Sequence, residues 1–283
     1  MWEVVLEALV DSAKALPFLL AIYLVIEFLE HNHKAKQRTL KLLNGKFAPA
    51  VASVVGIVPQ CGFSVMATDL YCQNYLKVGT LLAFFVATSD EALPILLTNS
   101  QTVGIVWVVV AIKVAYAMLI GFVVNAFDKT VLQVDYQIKQ DEGCCGHEMH
   151  DKKTFWQFVK HPLLHSAKIF VYIFVVNTVF GLLMLYFEQP IANFTAQIGV
   201  FQSLFTALVG LVPNCSSSVV LTGMYTENII DLSALVAGLV SNSGIALAVL
   251  FKQKSKWKRN LLILAVLYLA GAILGTTLAL FGL

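Results

Sequence analysis

The chain has 283 residues, of which 58% are hydrophobic and only 13% are charged. A soluble domain carries about 25% charged residues, so this composition excludes an ordinary soluble protein. Several apolar runs reach about 20 residues, the length of a membrane-spanning helix. The net charge is only +2, and the two arginines, Arg38 and Arg259, lie in separate short loops. No nucleic-acid partner is therefore predicted.

The first half predicts, in chain order, a helix, a basic loop, an interrupted segment and two more helices, over about 4–30, 31–46, 47–73, 77–97 and 103–127. The interruption lies at Gly56–Cys61, where Pro59 stands inside an apolar run. Proline ends a helix and small polar residues favour a new start, so two half-helices are predicted. Residues 47–58 would form about 18 Å of helix, too short for about 30 Å of hydrocarbon. The segment is therefore predicted to be a re-entrant hairpin, with two short tilted spanning helices as the alternative.

The second half repeats this plan at a constant offset of 154 positions, as the pairs Cys61 and Cys215, Ser89 and Ser243, and Gly121 and Gly275 demonstrate. A constant offset across a whole half indicates a duplication. The corresponding predicted elements are a helix, an interrupted segment and two helices, over about 162–187, 198–227, 230–251 and 260–282. The predicted domains are a first membrane repeat, a linker and a second repeat, over 1–127, 128–161 and 162–283.

The charge of the loops predicts how the repeats are oriented. Loops 31–46 and 252–260 each carry five Lys or Arg residues, whereas their counterparts 187–200 and 98–106 carry none. Basic loops stay in the cytoplasm, so equivalent loops are predicted on opposite sides of the membrane. The predicted fold is an all-α integral membrane protein of two inverted-topology repeats. Each repeat has three spanning helices and a re-entrant broken hairpin, about ten helical segments in total, with both termini outside and the linker cytoplasmic.

In this topology the two hairpin tips enter from opposite sides and are predicted to meet near the bilayer midplane. A helix start attracts negative charge, whereas two cysteines there offer soft sulfur ligands to a metal. The alternative is that these small residues only allow close helix packing. The candidate substrate-binding residues are the tip residues and nearby polar groups, namely Pro59, Gln60, Cys61, Ser64, Ser89, Asn214, Cys215, Ser216, Ser217 and Asn242.

Two acids, Asp90 and Glu91, lie in the middle of a predicted spanning helix. A carboxylate at this depth is costly, so such residues usually line a pathway or pair with another group. They are predicted to carry a coupling proton or a cation, and with Cys61 and Cys215 they form the candidate metal ligands. The alternative is a packing pair with Lys113 or Lys14. A third acid, Asp69 near the base of the first hairpin, is predicted to be interfacial and solvated.

The linker contains a second candidate metal site, formed by Cys144, Cys145, His147 and His150. Two Cys and two His this close could bind a soft metal and transfer it to the membrane domain, although their spacing matches no standard zinc pattern. A solvated loop is the alternative. No cofactor is predicted.

The paired motifs Pro59-Gln60-Cys61 and Pro213-Asn214-Cys215, together with Ser89-Asp90-Glu91 and the chain length, resemble a bacterial permease family. Its members are described as ten-helix heavy-metal exporters, related to arsenical permeases and in part labelled manganese transporters. The resemblance implies a non-enzymatic exporter of a metal or metalloid ion in the bacterial inner membrane. The lipid bilayer and a small inorganic ion are then its partners, and homo-oligomerisation is left open.

Three other functions are weighed against metal export. The half-helix starts could hold a small inorganic or organic anion, which would make the protein an anion transporter. An intramembrane lipid-phosphate hydrolase would also fit re-entrant segments, but no arginine lies near the hairpins and no histidine lies within them. A channel is the third, and flux far above carrier rates would identify it.

Overall fold

The computed structural model describes residues 45–59, 61–88, 92–98, 102–128, 199–252 and 257–282, with separate positions within 6–17 and 170–195. Regular structure in these ranges is helical, which confirms the predicted all-α class. The helices of the first half are α1 Ala48–Val55, α2 Cys61–Cys72, α3 Val78–Ala87, α4 Ala92–Thr98 and α5 Val103–Phe127. Those of the second half are α6 Gln202–Gly210, α7 Ser216–Thr226, α8 Leu232–Ser241, α9 Ala246–Lys252 and α10 Trp257–Leu280. The predicted helix 4–30, the loop 31–46 and the linker 128–161 lie mostly outside the described residues. Within the predicted helix 162–187, the described positions between 170 and 186 are helical.

Helix boundaries in the two halves repeat with the offset found in the sequence. Helices α3 and α8 both have 10 residues, and α4 and α9 both have 7. The turns that close the two hairpins also match, because Asn74 and its equivalent Asn228 both have positive φ, at 61° and 58°. Asparagine tolerates this left-handed conformation better than most residues. The same local structure therefore forms twice.

The three-helix packing inside each half also repeats, with α1, α3 and α5 in mutual contact in one half and α6, α8 and α10 in the other. A Cβ added to Gly121 of α5 would lie 2.6 Å from the Cβ of Pro49 and 2.7 Å from that of Ala83. A Cβ on the equivalent Gly275 would lie 2.8 Å from the Cβ of Ser203 and 2.5 Å from that of Ala237. The contacted residues are again equivalent, because Pro49 corresponds to Ser203 and Ala83 corresponds to Ala237 at the offset of 154 positions. Glycine thus permits the close helix approach that membrane interfaces use.

Four segments of the described chain are long and apolar enough to cross a membrane, namely Val78–Thr98, Val103–Phe127, Leu232–Lys252 and Trp257–Leu280. The first and third are 80% and 89% buried inside the protein, whereas the second and fourth are only 28% and 33% buried. The α3–α4 and α8–α9 segments therefore form the core. Helices α5 and α10 turn much of their apolar surface outward, where lipid would contact it.

Both core segments are interrupted, and here the prediction of continuous helices over 77–97 and 230–251 was wrong. Helix α3 ends at Ala87, and Thr88 is extended with ψ 133° before α4 begins at Ala92. Helix α8 ends at Ser241, and Asn242 is extended with ψ 117° before α9. Gly244 follows with φ +56°, a conformation that glycine adopts without strain. Thr, Ser and Asn compete with the helical backbone for hydrogen bonds, which explains why the apolar runs do not stay helical here.

Two contacts define how the equivalent helices α5 and α10 run relative to each other. Near the middle of both helices, the Tyr116 hydroxyl donates to the Ala270 carbonyl at 3.0 Å. Just past the end of α5, Asp128 accepts two hydrogen bonds of 3.2 Å from Arg259, which lies at the start of α10. Residue numbers rise along α5 and fall along α10 between these contacts, so the two helices run antiparallel.

Helices α3 and α8 likewise begin at opposite ends of the molecule. A Cβ on Gly79, at the start of α3, would lie 2.5 Å from Oδ1 of Asn125 near the end of α5. The start of α8 instead lies beside the end of α10, where Asp231, Gln202 and Ala279 line a shared cavity. Equivalent helices of the two halves therefore point in opposite directions.

Candidate functional site

The first hairpin tip lies beside the interruption in its own half. A Cβ on Gly56, just past α1, would lie 2.9 Å from the Cβ of Ala87, the last residue of α3. On the other side of the tip, Ser64 Oγ in the first turn of α2 lies 3.3 Å from Thr88 Oγ1. Both side chains are buried. The tip and the α3–α4 interruption thus share one buried polar location.

The second hairpin has the same relationship to the core segment of its half. Gly210 ends α6 and contacts α8 so closely that an added Cβ would lie 2.2 Å from the Gly238 carbonyl oxygen. Gly238 stands one turn before the interruption at Asn242. The second tip therefore lies near the interruption between α8 and α9.

Lys113 connects the two interruptions. Its side chain is only 1% exposed, although it belongs to the 25-residue helix α5 that otherwise turns much of its surface outward. Its Nζ donates to the Thr88 carbonyl at the end of α3. The same Nζ donates to the Leu239 carbonyl in the last turn of α8, at 2.8 Å. The ends of α3 and α8 therefore meet at one ammonium group.

Each returning half-helix also packs against the opposite half. Helix α2 contacts α9, the second part of the core segment in the second half. Helix α7 contacts α4, the second part of the core segment in the first half. These two contacts exchange equivalent helices, which is the pattern that a two-fold relation between the halves produces. Two hairpins and two interrupted core segments thus surround one central region.

Among the predicted site residues, most described side chains in or near the central region are buried. Ser64 is 1% and Asn214 is 2% exposed, and Cys215, Ser217 and Asn242 are also buried. Ser216 is partly buried, whereas Pro59 is exposed. The first tip is therefore open at its proline, and the second tip is enclosed.

Local hydrogen bonds fix the second tip. Asn214 Nδ2 donates to Ser216 Oγ at 3.1 Å, and Ser217 Oγ donates back to the Asn214 carbonyl at 2.8 Å. Nδ2 also approaches the Asn177 carbonyl at 3.5 Å, which brings a segment preceding the hairpin to the tip. Cys215 directly precedes α7 without forming a side-chain cap. The Asn214 amide is therefore used mainly to hold the tip, and Cys215 forms no disulfide.

Asn242 shapes the second interruption in a similar way. Its Oδ1 accepts a hydrogen bond of 2.8 Å from the Gly244 amide, a turn in which the side chain replaces a backbone acceptor. The neighbouring Ser243 Oγ is buried and has no hydrogen-bond partner among the described residues. A buried hydroxyl in this state is available to a ligand or water.

Several predicted site residues lie outside the described part of the chain. They are Gln60, Ser89, Asp90, Glu91, Cys144, Cys145, His147 and His150, and for Cys61 only the backbone at the start of α2 is described. Among the side chains that the structure does describe, no three of His, Cys, Asp and Glu lie close enough to hold a metal ion. The predicted ligand sets therefore stay predictions.

Sequence reasoning missed two polar residues of this region and misread another. Thr88 caps α3 and contacts Ser64, and Asn177 is buried with its Oδ1 unpartnered among the described residues. Each is a polar residue within an apolar run, and this is the sequence feature that could have identified it. Asp69, expected to be a solvated residue at the hairpin base, is only 3% exposed and accepts a hydrogen bond from Gln73 Nε2 at 3.1 Å.

Comparison with known proteins agrees with this architecture. A family model described as "Putative, 10TM heavy-metal exporter" matches residues 1–173 and again residues 140–274, which together cover most of the chain. No curated protein and no solved structure matches significantly. The resemblance drawn from the paired Pro-amide-Cys motifs is confirmed, and the protein is a multi-pass membrane protein. The chain belongs to the family of ten-helix membrane proteins that is described as heavy-metal exporters.

Proposed function

We propose that the protein is a secondary transporter that exports a metal or metalloid ion through the central region. The observation that carries this proposal is the meeting of the α3 and α8 ends at Lys113, with a hairpin tip beside each interruption. Non-helical backbone at membrane depth is tolerated only where protein or a water-filled cavity surrounds it. Transporters use such discontinuous helices to bind substrate and coupling ions near the midplane.

The proposed orientation has both termini outside and the linker 128–161 in the cytoplasm of a bacterial cell. The basic residues of 252–260 lie between the end of α9 and the first turn of α10, so the Arg259–Asp128 end of the molecule would face the cytoplasm. The antiparallel course of α5 and α10 supports a topology in which the second half is inverted. Alternating access would then be a rocking of one half against the other around the central region.

The residues that would hold the cargo follow from its chemistry. Cys61 and Cys215 stand at the starts of α2 and α7, and their thiolates would suit a thiophilic ion such as an arsenite-like species. Asp90 and Glu91 follow Thr88 closely in the sequence, and their carboxylates would suit manganese or carry the coupling proton. Ser64, Ser217 and Asn242 would line the path as neutral polar groups.

A resistance and export assay tests this function. A bacterial strain lacking the gene is challenged separately with arsenite, antimonite, Mn²⁺ and Cd²⁺, and the purified protein is tested for the same ions in reconstituted vesicles. We expect resistance and export for one class of ion, and loss of both in the Cys61→Ser, Cys215→Ser double variant if that class is thiophilic. The matched control is Ser53→Ala, a buried serine of α1 whose hydroxyl donates to the Ala50 carbonyl of the same helix. Export of none of these ions would contradict the proposal.

A second candidate is a transporter of a small anion. The buried Ser217 and Ser218 in the first turn of the 11-residue helix α7 favour it, because a helix start with small residues attracts negative charge. Adding phosphate, arsenate and small carboxylates to the vesicle panel separates the two candidates. Transport of an anion that survives the double cysteine change would favour the second. Phosphate release from a lipid pyrophosphate would instead indicate a hydrolase.

A further inference from the structure

Lys113 carries a charge that the apolar surroundings of the protein core do not readily accept. It stands near the middle of α5, and its side chain is 1% exposed. Moving an ammonium group from water into a protein interior costs several kcal/mol unless hydrogen bonds and opposite charge compensate it. The structure must therefore supply negative potential at this position.

Two helix ends contribute to that potential. The last four carbonyls of a helix lack intrahelical partners, and the helix dipole makes this end negative. The Leu239 carbonyl belongs to the last turn of α8, and the Thr88 carbonyl follows the last residue of α3. Both accept a hydrogen bond from Lys113 Nζ. Carbonyls at the C-terminal ends of broken membrane helices are the groups with which transporters hold a monovalent coupling cation.

The equivalent position in the second half has no such charge. Leu267 of α10 corresponds to Lys113 and is fully buried. The carbonyl that corresponds to Leu239 belongs to Phe85, and it accepts a backbone hydrogen bond of 3.3 Å from the Thr88 amide. The two halves therefore differ at this position, because the first half carries an ammonium group and the second half carries an apolar side chain.

We propose that this region is a monovalent-cation site whose occupant is the tethered ammonium of Lys113. The carbonyl ends of α3 and α8 form the site, and the lysine fills it in place of a free cation such as Na⁺ or Li⁺. The consequence for coupling rests on the proposed transport function: the cycle needs no free Na⁺ at this position. The site itself can be tested without any transport.

The test uses thermal unfolding of the purified full-length protein in detergent, in NaCl, LiCl or choline chloride at equal ionic strength. Lys113→Ala and Lys113→Ser remove the ammonium and leave space, whereas Lys113→Met removes the charge but fills the space. Leu267→Ala is the control, because it opens space at the equivalent position of the other half. Two space-opening variants are used so that a folding failure of one still leaves a measurement.

We expect the wild-type midpoint to be the same in all three salts. Lys113→Ala and Lys113→Ser should unfold several degrees lower in choline and regain at least half of that loss in Na⁺ or Li⁺. Lys113→Met should be lowered without recovery, and Leu267→Ala should be equally lowered in every salt. The proposal is overturned if the space-opening variants show no cation recovery, if Leu267→Ala recovers equally, or if Na⁺ stabilises the wild type as strongly.

Discussion

Tyr116 donates its hydroxyl hydrogen bond to the carbonyl of Ala270, the residue that occupies its own equivalent position in the other repeat. When two units are related by a two-fold axis, equivalent residues can meet only close to that axis. The axis relating the halves therefore passes near the middle of α5 and α10. Lys113 lies one helical turn from Tyr116, so the ammonium that joins the two interruptions also lies at the centre of the molecule.

Gly121 of α5 and Gly275 of α10 should be intolerant of even one added methyl group. We expect Gly121→Ala and Gly275→Ala each to lower stability by about 1–3 kcal/mol, because overpacking forces neighbouring helices apart. Gly104→Ala and Gly223→Ala are the matched controls, since a Cβ at either position meets nothing within 4 Å. Thermal unfolding in detergent measures all four. Equal effects at all four positions would show that close packing is not the cause.

The ion pair between Asp128 and Arg259 should contribute little despite its two hydrogen bonds. The side chains are 14% and 34% exposed, so solvent screens much of the attraction. A double-mutant cycle of Asp128→Ala and Arg259→Ala should give a coupling free energy of about 0.2–1 kcal/mol. Arg259→Lys should lose part of this coupling, because lysine lacks the planar guanidinium whose Nη2 donates to both Asp128 oxygens. A coupling of zero would mean that the pair does not hold the ends of α5 and α10 together.

The interruption after α8 should depend on Asn242 and Gly244 together. Gly244→Ala places a Cβ in the left-handed region, at a cost of about 1–2 kcal/mol. Asn242→Ala removes the acceptor of the Gly244 amide, at a cost of about 1–3 kcal/mol. The two losses should not add, because both variants disturb the same turn. The control is Gly282→Ala, which also has a positive φ, at +77°, but meets nothing within 4 Å, so its loss should add to that of Asn242→Ala. Fully additive losses would contradict the account.

The Asp69 carboxylate should destabilise the fold at neutral pH. It is almost fully buried, with one oxygen bonded to Gln73 and the other without a hydrogen-bond partner among the described residues. We expect Asp69→Asn to raise stability by about 1–3 kcal/mol, because no charge is then left in a poorly bonded position. The exposed Asp231→Asn should change stability by less than about 0.5 kcal/mol. A lower midpoint for Asp69→Asn would mean that the protein uses this negative charge to hold another group.

Much of the fold was predictable because it depends on local composition. The apolar runs, the constant offset of the repeat and the two tips could be found without coordinates, and α2 begins at Cys61 as the tip motif predicts. The interruptions in the two core segments were missed. Their polar residues were interpreted as side chains on continuous helices, because hydrophobic run length does not reveal where backbone hydrogen bonding stops.

The role of Lys113 could not be predicted, because it depends on contacts between distant parts of the chain. The structure gives it two backbone carbonyls as hydrogen-bond acceptors, one of them 126 positions away. The acids that the sequence suggested as partners, Asp90 and Glu91, lie outside the described residues. Which carbonyls lack helical partners becomes known only once the helix ends are known. Asn177 was missed for a similar reason, since its approach to Asn214 follows from tertiary packing.

Side-specific labelling of Lys77 and Asp231 tests the inverted arrangement most directly. These residues are equivalent and stand at the starts of α3 and α8, where both have extended backbone conformations. Single cysteines are placed there in an otherwise cysteine-free protein, and intact cells and inside-out vesicles are treated with an impermeant thiol reagent. The account predicts that Lys77→Cys reacts only from the cytoplasmic side and Asp231→Cys only from the outside. Reaction of both cysteines from the same side would contradict it.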